Sequence, residues 1–256
     1  MRAFVINLDA ATDRWAFVQN SFADSQVILC RVSAVDGKRL TLPHRDYAEP
    51  LYRWFHGRTS NPRELACYLS HLTAIKTFLG TNESHGIIAE DDIVPRPDLD
   101  AVLEAALRYS RDWNILRLSG LSSGHPVRIA KVHGDYSLCV NLGRLKGAGA
   151  YLIDRRAATA LLAHLRPMRL PYDHAIDREW RWGLHAACIQ PFPVSQTESD
   201  FLSSVQPGTY PKLSRTRRCF TTYPYQAFNE LSRWLFRFSY FLRLRALPIS
   251  ALRRLS

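Results

Sequence analysis

Strand-like and helix-like segments alternate along the chain, which predicts an α/β protein with a largely parallel central sheet. Three observations carry that expectation: a buried-strand pattern at the N-terminus, a capped amphipathic helix in the first third, and short apolar runs that lead into further helical patterns. The chain has 256 residues, of which 46% are hydrophobic, 11% aromatic and 22% charged. Such a chain can bury a core without disulfides or structural metals, and its composition excludes disorder, collagen and coiled coil.

Residues 2–8 read as a buried strand, and Trp15, Val18 and Phe22 within 11–24 recur at helical spacing. A second strand fits 26–32. Residues 36–60, with Asp36-Gly37, Pro43, Pro50 and Gly57, read as irregular chain or a flap. The clearest helix runs from Pro62 to Leu79, where Leu65, Tyr68, Leu69, Leu72, Ile75 and Leu79 form one apolar face. Asn61 caps it, Pro62 suits its first turn, and Glu64 completes a capping-box-like arrangement. The apolar run Gly86-Ile-Ile-Ala89 ends in Glu90-Asp91-Asp92. A helix is expected over 98–109, a strand over 113–118, short strands within 127–153, a helix over 155–165, a helix over 173–185 and a strand over 187–190.

The net charge of +11 is unevenly placed. Residues 212–256 hold ten Lys or Arg and one acid, a net of +9, and leave +2 for residues 1–211. This predicts a near-neutral domain over 1–211 with a basic, aromatic-rich helical extension over 212–256, whose partner belongs to the extension alone. No apolar run approaches the ~20 residues that span a bilayer. The N-terminal apolar run is too short for a signal-peptide core, so export by that route is not expected. The five cysteines are scattered, with no C-x-x-C pair, and read as small buried hydrophobes in a reducing cytoplasm.

Glu90, Asp91 and Asp92 stand where a buried strand is expected to emerge, the place where open α/β sheets bind ligands. Carboxylates there suit a hard divalent cation, with Glu90 and Asp92 directed to one side and Asp91 to the other. A solvated turn whose acids cap the next helix is the alternative. Asp173 and Asp177, one helical turn apart, could supply a metal ligand and a general base, or could cap a helix. Ser70-His71 could be a helix–helix hydrogen-bonding pair. Asn7 and Asp9, with Arg14, could contact a nucleotide, although Asp9 could equally open the next helix. Gly147-Ala-Gly149 is too short for a dinucleotide loop, and no phosphate-binding G-x-x-x-x-G-K-[ST] occurs.

Taken in order, these pieces resemble glycosyltransferase family 25, the bacterial lipooligosaccharide and lipopolysaccharide sugar transferases. The matching residues are Val5-Ile-Asn7-Leu-Asp9 with Arg14, Val35-Asp36-Gly37, Glu64-Leu-Ala-Cys67 with Leu69-Ser70-His71-Leu72, and Ile87-Ile-Ala-Glu90-Asp91-Asp92. They continue through Gly147 to Ile153, Asp173-His-Ala-Ile-Asp177 and Gln190-Pro-Phe-Pro-Val-Ser-Gln196. The resemblance covers residues 2–200 and implies a GT-A-like fold and a uridine diphosphate sugar donor. It implies a divalent metal (Mn²⁺ or Mg²⁺) held by Glu90 and Asp92, and inverting transfer of galactose or another hexose. It also implies donor contacts by Asn7, Asp9, Arg14, Asp36, Ser70, His71 and Asp91, a base at Asp173 or Asp177, and a lipid-linked glycan acceptor. Tyr172 and Asp154 depart from the family's commoner residues at their positions.

In the extension, Arg233 and Arg237 lie one turn apart, while Trp234, Leu235, Phe238, Phe241 and Leu242 supply an apolar face. That mixture suits an interfacial helix on anionic lipid, placing the enzyme peripherally at the cytoplasmic face of the inner membrane. A helix docked on the domain with its arginines solvated is the alternative. Two other functions remain open on the sequence. A metal-dependent phosphoester hydrolase would use the same carboxylates. Nucleic-acid binding through Arg215, Arg217 and Arg218 is not expected, because no recognition motif accompanies the charge.

Overall fold

The computed structural model describes residues 1–122, 124–197 and 211–246. The strands are β1 (Arg2–Asn7), β2 (Ile28–Ser33), β3 (His85–Glu90), β4 (Ile93–Pro95), β5 (Ile115–Arg117), β6 (Pro126–His133), β7 (Tyr136–Asn141), β8 (Ala150–Asp154), β9 (Ala186–Gln190) and β10 (Val194–Gln196). The helices are α1 (Thr12–Ser21), α2 (Glu49–His56), α3 (Pro62–Leu79), α4 (Leu99–Leu107), α5 (Arg155–His164), α6 (Tyr172–Ile176), α7 (Arg215–Phe220) and α8 (Thr222–Ala246).

Eight strands form one sheet in the order β2-β1-β3-β8-β5-β9-β7-β6, and β4 pairs with β10 in a separate ribbon. β1 is parallel to β2 and β3, and β5 is parallel to β9. The sheet is nevertheless mixed rather than largely parallel. β8 runs antiparallel between β3 and β5, and the β6–β7 hairpin adds two antiparallel ladders at the far edge. Alternation along β1 explains its unbroken apolar run: Phe4 and Ile6 pack toward α3 and α5, while Ala3 and Val5 pack toward α1 and α4. Both faces are covered, so neither can be polar.

Helix α3 has the expected bounds, and Asn61 Oδ1 accepts from the Glu64 backbone N–H at 2.8 Å. The carboxylate of Glu64 does not close the capping box. It accepts from Tyr52 Oη at 2.8 Å and Ser60 Oγ at 2.7 Å, tying α2 to α3. The expectation of irregular chain over 36–60 is corrected by α2, which begins with Pro50 in its first turn and ends at Gly57 with φ of +79°. Proline suits a first helical turn and glycine a left-handed cap, so those residues bound a helix here instead of preventing one.

The helix expected over 173–185 is only α6, followed by a 3₁₀ turn at Glu179–Trp182. Asp177 and Glu179, two residues apart, would diverge on an α-helix. Here the chain breaks and both carboxylates meet Arg237 of α8. Arg237 is 2% exposed and Glu179 fully buried. Arg237 Nε and Nη2 donate to the Glu179 carboxylate at 2.7 and 2.8 Å, Nη2 also to Asp177 at 2.8 Å, and Nη1 to the Asn141 and Gly143 carbonyls at 2.9 and 2.8 Å. Arg233 Nε lies 3.1 Å from the second Asp177 oxygen and donates to the Asp177 carbonyl at 3.2 Å.

This reverses the expected orientation of the extension. Arg233 and Arg237 face the domain, while Phe228, Leu231, Trp234, Leu235 and Leu242 are exposed. The physical reason is the pair of buried carboxylates, which need cations more than the domain surface needs Trp234. Residues 247–256, including Arg253 and Arg254, lie outside the described residues. All five cysteines are free; Cys139 and Cys188 are buried as expected, whereas Cys219 is exposed.

Candidate active site

β3 emerges from between β1 and β8, and its last residue starts the acidic run. The alternation expected there holds in space. Asp91 turns inward, where Asn7 Nδ2 donates to it at 2.6 Å and the Arg14 guanidinium pairs with its other oxygen. Glu90 and Asp92 turn the other way toward Gln196, whose Nε2 lies 3.3 Å from Glu90 Oε2 and 3.5 Å from Asp92 Oδ1. The β4–β10 ribbon holds Gln196 there. Gly149 admits it, because a Cβ at that position would stand 2.6 Å from the Gln196 amide carbon. Gln196 belongs to the Gln190–Gln196 run but carries no charge to mark it as a site residue.

The electrostatics follow from this packing. Asp92 is pushed up to about 6, first by burial and then by Glu90, against the opposing pull of Arg14 3.9 Å away. Burial raises Asp91 as well, with Arg14 and Asn7 opposing. Glu90 and Asp92 are therefore crowded like charges without a full counter-charge, partly open to solvent, and made of hard oxygen donors. They fit Mg²⁺ or Mn²⁺. Cys67, His71 and Glu90 also bring ligand atoms within 4.8 Å of one another. Yet the Cys67 thiol is pushed well up by burial and then by the carboxylates of Glu90, Glu64, Asp173 and Asp92. A protonated thiol is a poor ligand.

The ring nitrogens of His71 pair with residues of β8 and β3, not with another helix as expected. Its ring stacks on Tyr172 at 4.0 Å, its Nδ1 lies 3.2 Å from Tyr151 Oη, and its Nε2 lies 3.3 Å from Glu90 Oε1. Tyr172 thus forms the platform that orients the Glu90 partner, and Tyr151 Oη and Tyr172 Oη lie 2.6 Å apart. Ser70 makes no helix–helix hydrogen bond among the described residues: it donates to the Ala66 carbonyl of its own helix at 2.7 Å and accepts from Val35 N–H at 2.8 Å. That bond holds the Val35-Asp36-Gly37 segment on α3. Asp36 caps the following 3₁₀ turn by accepting from Lys38 N–H at 2.9 Å. A Cβ on Gly37 would meet Arg63 Cα at 2.6 Å, so the close approach requires glycine. Asn7 is spent internally, with Nδ2 on Asp91 and the Ala11 carbonyl and Oδ1 accepting from Arg31. Asp9 is exposed and accepts from Ser33 Oγ at 2.7 Å instead of starting α1.

Asp173 is half-buried, and its Oδ2 accepts from Gly147 N–H at 3.2 Å while Oδ1 accepts from His174 N–H at 2.9 Å. Gly147 has φ of +80°, and its carbonyl accepts from the buried Arg117. The Gly149 carbonyl accepts from Glu90 N–H at 2.8 Å, so residues 147–149 brace both acidic segments. Asp177 is corrected as a candidate base: it is 3% exposed and is committed to Arg233 and Arg237.

Comparison with known proteins bears on the family to which the chain belongs. A rat protein described as "Probable inactive glycosyltransferase 25 family member 3" is 26% identical over 235 residues, 79% of this chain and 40% of that one. The chain thus spans about two fifths of that relative's length. Among solved structures, a glycosyltransferase involved in glycosylation of the PBCV-1 major capsid has a TM-score of 0.41 at 7% identity, covering 78% of this chain and 93% of that one. The galactosyltransferase LgtC, in complex with donor and acceptor sugar analogs, has a TM-score of 0.37 at 13% identity, covering 91% and 95%. Likenesses of that size leave the chemistry unassigned. The decisive match is to the sequence model of Glycosyltransferase family 25 (LPS biosynthesis protein) over residues 1–176, from the first strand through the acidic turn to the end of α6, and on it the chain belongs to that family.

Proposed function

We propose that the protein is an active, metal-assisted, inverting glycosyltransferase of GT-A-like type. In this reading it moves a hexose, galactose first among them, from a uridine diphosphate carrier to a lipooligosaccharide-type glycan. The rat relative is described as inactive, so activity does not follow from membership. The observation that carries the proposal is the convergence of Glu90 and Asp92 on Gln196 while Asp91 takes the close ion pair with Arg14. A phosphoester hydrolase could use the same acids, but family membership favours transfer.

In this reading Glu90 and Asp92 hold the divalent cation, which when bound offsets the negative charge developing on the departing nucleoside diphosphate. Asp91, Asn7 and Arg14 position the turn. Ser70 and Asp36 position the neighbouring segment, and Asp9, exposed at the strand end, remains available to the donor. His71 steers Glu90 from its tyrosine platform. Asp173 takes the proton of the attacking hydroxyl; its two backbone donors orient it, and the remaining lone pairs are free for the acceptor.

Asp92→Asn is expected to weaken donor binding in Mn²⁺ by at least about tenfold, since the variant keeps its shape but loses the charge. Calorimetry with uridine diphosphate galactose, with and without Mn²⁺, checks this. Equal binding by wild type and variant would sink the metal assignment.

The extension supports attachment to a membrane surface through apolar side chains more than through Arg233 and Arg237. Among the described residues no helix is long and apolar enough to cross a membrane. The outward stripe of Phe228, Leu231, Trp234, Leu235 and Leu242, with exposed Arg243 and Arg245 at one end, suits lying in an interface. Leu231→Ser with Leu235→Ser is expected to reduce sedimentation with anionic vesicles severalfold at both low and high salt, without lowering thermal stability. Undiminished sedimentation would remove the stripe from the interface.

A further inference from the structure

On the far side of Tyr68 from the acidic turn lies a cavity of about 370 Å³ that the transfer chemistry does not use. Tyr68 contacts Tyr172 at 5.5 Å between ring centroids, and Tyr172 stacks on His71, so two ring contacts separate the cavity from the Glu90 partner. Its lining combines Arg169, Arg178 and Arg181 with Phe55, Tyr225 and Trp182, and no Asp or Glu lines it. Among the described residues none of the three arginines forms an ion pair. Arg178 lies over the Tyr225 ring at 5.5 Å, and Tyr225 stacks on Phe55 at 4.1 Å.

Two polar atoms here are buried without a hydrogen-bond partner: Arg178 Nε and Tyr225 Oη. Both are donors, and a buried donor left unpaired is costly. The guanidinium groups also repel one another. Arg178 is held below the usual arginine range by burial first, with Arg181 and Arg169 adding to the effect against the opposing influence of Tyr225. The two orphaned donors, with half-buried Arg169 and Arg178 and exposed Arg181 around one cavity, suit an anion, and planar guanidinium groups suit an oxyanion. The aromatic walls call for more than a bare ion, since ring faces pack against the apolar faces of sugars.

The geometry points to this cavity as a binding site for an oxyanion-bearing saccharide, held by Arg169, Arg178, Arg181 and the Tyr225 hydroxyl at its phosphate or carboxylate and by Phe55 and Trp182 at its ring. It rests on the transferase reading only in taking that saccharide to be a charged part of the acceptor, remote from the reacting hydroxyl; the binding itself stands apart from it.

Binding of glucose 6-phosphate, glucuronic acid, glucose and inorganic phosphate to the full chain, followed by calorimetry and NMR, tests the assignment. Glucose 6-phosphate or glucuronic acid is expected to bind at least tenfold more tightly than glucose and than inorganic phosphate. Arg169→Gln with Arg181→Gln should weaken that binding at least tenfold, and Arg169→Lys with Arg181→Lys should retain part of it. Both pairs leave Arg178 on Tyr225, and circular dichroism confirms that they fold. Asp92→Asn should leave it unchanged, whereas loss of binding in that variant would put the ligand at the acidic turn and overturn the proposal. Tighter binding of inorganic phosphate than of either charged sugar would overturn the saccharide. Equal binding by the Gln pair and wild type would overturn the site. A chain that binds the charged sugar but no nucleotide sugar would keep this site and refute the transferase reading instead.

Discussion

Replacing Arg237 with alanine is expected to lower the free energy of unfolding by about 3–5 kcal/mol, because removing one member of a buried ion pair strands the others. Asp177 and Glu179 would both lose their main cation, and the Asn141 and Gly143 carbonyls a donor each. Arg237→Lys should recover only part of the loss, since one ammonium cannot meet two carboxylates and two carbonyls in a fixed fork. Urea unfolding of the three proteins checks this; a loss under about 1 kcal/mol would mean that water reaches the cluster. Chains ending before α8 should likewise fail to fold cooperatively, contrary to the separable extension that the charge distribution suggests. The same network governs how Asp177 variants are read. Asp177→Asn should lower stability together with activity, so lost turnover in that variant is no evidence for a base.

Local patterns carried much of the fold. α3 was legible to the residue because Asn61, Pro62 and the apolar face agree with one another, and β3 was legible because four apolar residues end abruptly in acids. What escaped depends on distant partners. Nothing near β8 in sequence says that it runs antiparallel between β3 and β5. The break after α6 and the inward turn of Arg233 and Arg237 have one cause, the meeting of residues about sixty positions apart. A helical stretch of arginine among aromatics reads the same whether its charges face lipid, water or buried carboxylates. At the site, spacing gave the split of Glu90 and Asp92 from Asp91, because strand alternation is local. It could not find Gln196 or the tyrosines at 151 and 172, since their roles come from the approach of Gly149 and from stacking on His71.

Asp173→Asn is expected to lower kcat by about 10²–10⁴-fold while leaving donor affinity within about twofold, the signature of a group needed only as the proton moves. The variant suits the question because its amide oxygen can still accept from Gly147 N–H, so the brace at 147–149 is kept; basicity is lost, together with the acceptor for His174 N–H. Its thermal stability should stay close to wild type, which separates it from Asp177→Asn, and its donor binding should stay intact, which separates it from Asp92→Asn. Asp173→Glu should recover little, because one added methylene displaces a carboxylate that two backbone donors now fix. Steady-state kinetics on a soluble glycan acceptor, paired with calorimetric donor affinities, distinguishes these outcomes. Wild-type kcat in Asp173→Asn would move the base elsewhere. Asp177 is locked to two arginines. Glu64 is bound to Tyr52 and Ser60, so among the described residues the acidic turn itself would be the next candidate, in competition with the metal.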